Sequence, residues 1–102
     1  MPAPFDWGEY QPLDTFAFEA LSVAATAVGF TAATFLNAKL AVAKVEGAQM
    51  RYRSDGTDPT ATVGVLAEVG DTITVWGSPD IRSIRFIRTG GVSATLSSEF
   101  SR

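Results

Sequence analysis

From residue 20 onward, hydrophobic and polar residues alternate along much of the chain. In the segment QMRYR, the alternation predicts that Met50 and Tyr52 face a core and that Gln49, Arg51 and Arg53 face solvent. The other segments of this kind place these residues inward: Leu21, Val23 and Ala25; Ile73 and Val75; Ile84 and Phe86; and Val92, Ala94, Leu96, Ser98 and Phe100. A period of two is typical of antiparallel strands that bury one face.

Short segments rich in glycine, proline and aspartate separate the predicted strands. They comprise residues 46–47, 54–59, 69–71, 77–80 and 89–91. Roughly six or seven short strands at this spacing predict an all-β fold, a small antiparallel β-sandwich of the immunoglobulin-like or jelly-roll-like kind. A small barrel is the alternative.

Two segments depart from simple alternation. The segment KLAVAKV, residues 39–45, is apolar at almost every position, which predicts a strand covered on both faces. Residues 25–38 combine good helix formers with β-branched threonines and Gly29, so they predict at most a single helical turn.

Residues 1–19 differ in composition from residues 20–102, which we interpret as the β-sandwich domain. The first segment contains four acidic residues, no lysine or arginine, and prolines that disfavour a helix or a central strand. Because disordered tails are poor in aromatic residues, we predict an extended acidic arm whose rings bind a partner. These rings are Phe5, Trp7, Tyr10, Phe16 and Phe18. The alternatives are an arm that folds back over its own core and a free tail.

The composition excludes several kinds of chemistry. The chain has no cysteine and no histidine, so it cannot form a disulfide, a thiolate or imidazole metal site, or a Ser–His or Cys–His pair. We therefore expect no cofactor and no enzymatic activity. The net charge of −3 argues against a nucleic-acid binder. Polar residues interrupt the most apolar stretch, residues 20–36, and no signal peptide is recognised, so no membrane association is expected.

Arginines recur on the polar faces of two predicted strands. Arg51 and Arg53 lie on one of them, and Arg82, Arg85 and Arg88 lie near the polar face or the ends of the other. If the two strands are neighbours, these side chains form a basic patch that could bind phosphate or the acidic arm of this or another copy. The alternative is a solvated face with ordinary ion pairs, each of which contributes little.

Two further features have a functional and a structural interpretation. Asp55 and Asp58 offer oxygens to Ca²⁺, but such a site needs about six ligands, and Asp-Gly followed by Asp-Pro is a common turn sequence. Trp76 and Tyr52 would serve as stacking residues in a sugar-binding module, whereas a tryptophan in a core or an interface is the alternative.

Residues 45–100 resemble a group of small proteins encoded in the structural modules of tailed bacteriophages and prophages. The motifs that carry the resemblance are E-G-A-x-x-R-Y-R-x-D-G-T-x-P-T-x-T-x-G at residues 46–64, G-D at residues 70–71, I-R-x-x-R-x-I-R-T-G at residues 81–90 and S-A-T-L at residues 93–96. A shorter stretch, residues 52–60, is similar to sandwich domains attached to carbohydrate-active enzymes.

The phage resemblance implies a structural virion protein, with a capsid decoration or cement protein as the first expectation. Such a protein binds the head shell as a symmetric oligomer, so its partners are the major capsid protein and other copies of itself. It would be made in the cytoplasm of the host bacterium and would end on the capsid surface. A head-to-tail connector, a tail or spike component, and a carbohydrate-binding module are the alternatives.

Overall fold

The computed structural model describes residues 13–102, which form two antiparallel sheets. The elements, in chain order, are β1 (Thr15–Val23), α1 (Ala32–Phe35), β2 (Leu40–Glu46), β3 (Met50–Arg53), β4 (Val65–Ala67), β5 (Thr72–Trp76), α2 (Ser78–Ser83), β6 (Arg85–Arg88) and β7 (Ala94–Ser101). A four-stranded sheet has the order β1-β7-β2-β5, and a three-stranded sheet has the order β4-β3-β6. The predicted small all-β sandwich is confirmed.

The core lies between the two sheets and contains most of the residues that alternation placed inward. Ala25 and Val92 are exposed, because they lie in the turns beyond the ends of β1 and β7. Met50 and Phe86 of the three-stranded sheet and Phe100 of the four-stranded sheet are fully buried. The ring of Phe30 packs edge-on against Phe86 at 5.1 Å and against Phe100 at 5.0 Å between centroids. Phe30 therefore joins the two sheets through aromatic contacts, which prefer this geometry.

The burial of one predicted strand on both of its faces is wrong. In β2, Ala41, Ala43 and Val45 are buried, as expected for the inner face. Val42 on the other face is 38% exposed, so β2 is not covered on both sides. The reason is that a two-layer sandwich gives each sheet one inner face, and the apolar Leu40 and Val42 at outer positions made the two faces of β2 look alike in the sequence.

The predicted boundary at residue 20 is also wrong, because β1 begins at Thr15. This strand pairs with β7 along its length, with Ala17 opposite Phe100 and Val23 opposite Ala94. Residues 15–19 are therefore part of the sandwich and not of a separate arm.

The two short helices contrast in how well the sequence predicted them. The single turn α1 confirms the expectation for residues 25–38. The helix α2 was not predicted, because the hydrophobic spacing of residues 81–88 suggested one continuous strand. Its first turn contains Pro79, whose fixed φ angle suits a helix start, and its buried residue is Ile81.

The residues after β1 connect the two sheets. The Val28 N–H donates to the Phe86 carbonyl at 2.9 Å, and the Phe86 N–H donates to the Val28 carbonyl at 2.8 Å. The Arg88 N–H donates to the Ala24 carbonyl at 3.0 Å. Residues 24–28 therefore cover the outer edge of β6, while β1, β4 and β5 remain edge strands within residues 13–102.

We predict that Phe100→Ala lowers the free energy of unfolding by about 3–5 kcal/mol, because it leaves a cavity between the sheets. Phe18→Ala is the matched control, since Phe18 is 60% exposed on β1. We expect it to change stability by less than about 0.5 kcal/mol. Urea unfolding followed by tryptophan fluorescence measures both, and equal losses would contradict this assignment of the core.

Candidate partner-binding surfaces

The predicted basic patch exists on the outer side of the three-stranded sheet. The strands β3 and β6 are neighbours, with Arg53 opposite Arg85 and Arg51 opposite Ile87. On β4, Leu66 lies opposite Arg51 and is 42% exposed. We call these five residues the arginine face. Leu66 and Ile87 lie on the strands on either side of Arg51, so the face offers both charge and apolar contact.

The Arg51 guanidinium is held by the loop between β3 and β4. Its Nε donates to the Ala61 carbonyl at 3.2 Å, and its Nη1 donates to the Gly64 carbonyl at 2.9 Å. Both acceptors are backbone carbonyls without formal charge, so these bonds fix the guanidinium in place and leave its charge uncompensated.

The Arg85 guanidinium is fixed in a similar way at the end of α2. Its Nη1 donates to the carbonyls of Arg82 and Ile84, each at 2.8 Å. Gly29 makes room for this side chain, because a Cβ atom at position 29 would lie 2.5 Å from Nη1. The absence of a side chain at Gly29 thus allows the position of Arg85.

The third arginine, Arg53, forms a salt bridge with Asp55. The hydrogen bond from Arg53 and a second one from the Thr57 N–H at 3.3 Å lower the pKa of the Asp55 carboxyl. The same pairing raises the pKa of Arg53. Gly56 has a φ of 88°, which suits a tight turn. The loop residues Asp55 and Gly56 therefore turn the chain, as the structural interpretation expected.

Within residues 13–102, no group of three or more acidic side chains is placed to hold a metal ion.

The motif P-T-x-T-x-G has a local structural cause. The Thr60 hydroxyl accepts hydrogen bonds from the N–H groups of Thr62 at 3.3 Å and Val63 at 3.0 Å. Gly64 follows with a φ of 139°, and a Cβ atom there would lie 3.1 Å from the Cβ of the buried Pro59. Thr60 and Gly64 therefore shape the compact loop that holds Arg51.

The predicted arm residues fall into three groups. Phe5, Trp7 and Tyr10 lie outside the described residues. Phe16 is half-buried and packs against the core, with the Arg102 guanidinium 4.1 Å above its ring. Phe18 is exposed on the outer side of the four-stranded sheet. The structure thus places Phe16 and Phe18 in β1, so they do not belong to an arm.

The four-stranded sheet has an exposed outer surface that the sequence did not reveal. We call it the aromatic face; its members are Phe18 on β1, Leu40 and Val42 on β2, and Trp76 on β5. Phe18 is 60% exposed and Trp76 is 66% exposed. Alternation in residues 15–19 is the signal that would have found this face, because it places Phe18 opposite to the inward Leu21.

Trp76 and Tyr52 do not form one stacking platform. Trp76 lies on the outer side of the four-stranded sheet. Tyr52 belongs to the three-stranded sheet, and its half-buried ring lies 6.1 Å from the ring of Phe86 in the core. The two rings are therefore separated by the sandwich itself.

Comparisons of the chain with protein-family models, with curated proteins and with solved structures found no match. In the part of the chain that the structure describes, no helix is long and apolar enough to span a membrane.

We predict that Arg53→Gln raises the pKa of the Asp55 carboxyl toward its ordinary value, since the charged hydrogen bond from Arg53 is the largest cause of the lowering. In the native protein, the pair stabilises the fold above the pKa of an unfolded aspartate. This stabilisation is lost as the pH falls through the lower folded pKa. The titration of the Asp55 carboxyl carbon by NMR measures the change.

The control for this titration is Arg51→Gln, because the bonds of Arg51 go to carbonyls on the other side of the loop. We expect the native pKa of Asp55 in that variant. Identical titrations in both variants would contradict the role of the Arg53–Asp55 pair.

Proposed function

We propose that this protein is a structural component of a tailed-bacteriophage virion, and specifically a decoration protein that binds and stabilises the head shell as a symmetric oligomer. The resemblance of residues 45–100 to phage structural-module proteins supports this function. Its partners would be the major capsid protein and other copies of itself, on the capsid surface.

The observation that carries the proposal is the pair of unlike exposed surfaces on opposite sides of one small sandwich. The aromatic face exposes Phe18 and Trp76, and the arginine face presents basic groups with Leu66 beside Arg51. Exposed apolar patches mark interaction sites. A unit with two different contact surfaces can bind a shell on one side and a neighbouring unit on the other.

The edges of the sheets offer a further mode of contact. Both β4 and β5 have one side without a partner strand in the described structure. Alternate N–H and C=O groups of such an edge are free to pair with an added strand. Modest contacts of these kinds, repeated over many copies, sum to a stable assembly through multivalency.

The number of copies in purified virions tests the proposal. Quantitative mass spectrometry compares the amount of this protein with that of the major shell protein. We expect hundreds of copies per virion, as in a shell of repeated symmetric units. About five to a dozen copies would instead favour the head-to-tail connector or a tail component. Absence from the virion would overturn the structural virion role and favour a carbohydrate-binding module.

We predict that deletion of residues 1–12 abolishes binding to virions that lack this protein, because it removes the rings of Phe5, Trp7 and Tyr10. The deletion ends before β1, so the unfolding midpoint in urea is expected to stay close to that of the full chain. Cosedimentation with the particles measures binding, and Gln11→Ala in the full chain is the control. Undiminished binding of the deletion variant would contradict a role of these residues in attachment.

A further inference from the structure

The arginine face has positive charge that its own carboxylates do not neutralise. Within the described part of the chain, Asp55 on Arg53 is the one carboxylate in an ion pair with this face. Arg51 and Arg85 donate to backbone carbonyls and use only some of their N–H groups to do so. A guanidinium has five N–H donors, so each retains donors for an acidic partner.

The same face offers apolar surface next to these charges. Leu66 is 42% exposed, and Ile87 is half-buried between Arg51 and the edge of the sheet. Guanidinium planes also stack on aromatic rings. The chain already contains one such contact, since the Arg102 guanidinium lies 4.1 Å above the ring of Phe16. A segment with both carboxylates and aromatic rings matches this surface.

The chain contains a segment of that chemistry outside the described structure. Residues 1–12 contain Asp6 and Glu9 and no lysine or arginine, and they alternate these acids with aromatic rings. The rings are those of Phe5, Trp7 and Tyr10. We propose that residues 1–12 bind the arginine face, with their carboxylates on Arg51 and Arg85 and their rings on the guanidinium planes and Leu66.

Charge distinguishes this surface from the aromatic face. The outer side of the four-stranded sheet has Glu46 and Glu99 exposed and one lysine, Lys44, close to them. Binding there would place Asp6 and Glu9 beside two carboxylates. The arginine face provides the opposite charge.

The arginine face is within reach of the segment. The described chain begins at Leu13, and the Asp14 N–H donates to the Arg102 carbonyl at 3.0 Å, at the start of β1. Glu19 lies about 17 Å further along β1 and accepts hydrogen bonds from Thr31. Thr31 is two residues from Gly29, which contacts the side chain of Arg85. Twelve residues span at most about 40 Å, so the segment reaches the face of its own copy or of an adjacent copy.

Photo-crosslinking in the purified full-length protein tests the proposal. Trp7 is replaced by p-benzoylphenylalanine, an aromatic residue that forms a covalent bond with C–H groups within a few ångströms after illumination. Mass spectrometry is expected to find the crosslinks in residues 51–53, 65–67 and 85–88. Illumination of a mixture of isotopically heavy and light protein distinguishes binding within one copy from binding between copies, and either result places the segment on this face.

The carboxylates are tested by a variant that leaves the sandwich unaltered. Asp6→Asn with Glu9→Gln, in the full chain that carries the photoreactive residue, is expected to reduce the yield of these crosslinks about threefold or more, as the loss of two exposed ion pairs implies. High salt is expected to have a similar effect on the unsubstituted segment. Gln11→Glu, which adds a carboxylate, is the opposite control and is expected not to reduce the yield.

Two results would overturn the proposal. The first is that crosslinks from position 7 fall on the aromatic face, in residues 40–44 or 72–76, or that none falls on the arginine face. The second is that the yield does not respond to the loss of Asp6 and Glu9. The crosslinking experiment uses no virions, so a negative result would leave the virion proposal intact. Conversely, absence of the protein from virions would leave this contact intact.

Discussion

The ring of Phe30 holds the two sheets of the sandwich together. Phe30 packs edge-on against Phe86 of one sheet and Phe100 of the other. The chain reaches this position because residues 24–28 leave β1 and pair with β6. One connection thus covers an edge, links the sheets and brings a ring into the core. Because this core fixes the two sheets relative to each other, the outer surfaces of the sandwich face in opposite directions.

The arginine face depends on the loop between β3 and β4, which holds the side chain of Arg51 in place. The compact turn at Thr60 and the tightly packed Gly64 present two backbone carbonyls to Arg51. Gly29 leaves the space that Arg85 occupies. Because neutral carbonyls hold these side chains, their charge remains available. The loop motif at residues 59–64 and the arginine face are therefore parts of one arrangement.

Most of the strands and most of their inward residues were predictable, and the reasons are local. The pattern identifies the inner face of a strand wherever large apolar residues alternate with polar ones, as in β5, where Ile73 and Val75 are buried. It fails in β2, because the outer positions carry the apolar Leu40 and Val42 and both faces therefore look buried. It also fails at α2, where hydrophobic spacing suits a strand but Gly77 and Pro79 favour a helical turn. The boundary at residue 20 was wrong because aromatic and acidic composition does not distinguish an edge strand from an arm.

Residue identity and the period of a strand were enough to predict the β class, the absence of cysteine and histidine chemistry, and the alternate positions of Arg51 and Arg53 on one strand. Only the tertiary structure decided that β6 lies beside β3, which brings Arg85 to the same face. It also decided that Phe18 and Trp76 share the opposite surface of the sandwich. The physical reason is that strand order is set by long-range pairing and core packing between residues far apart in the chain, which no local pattern encodes.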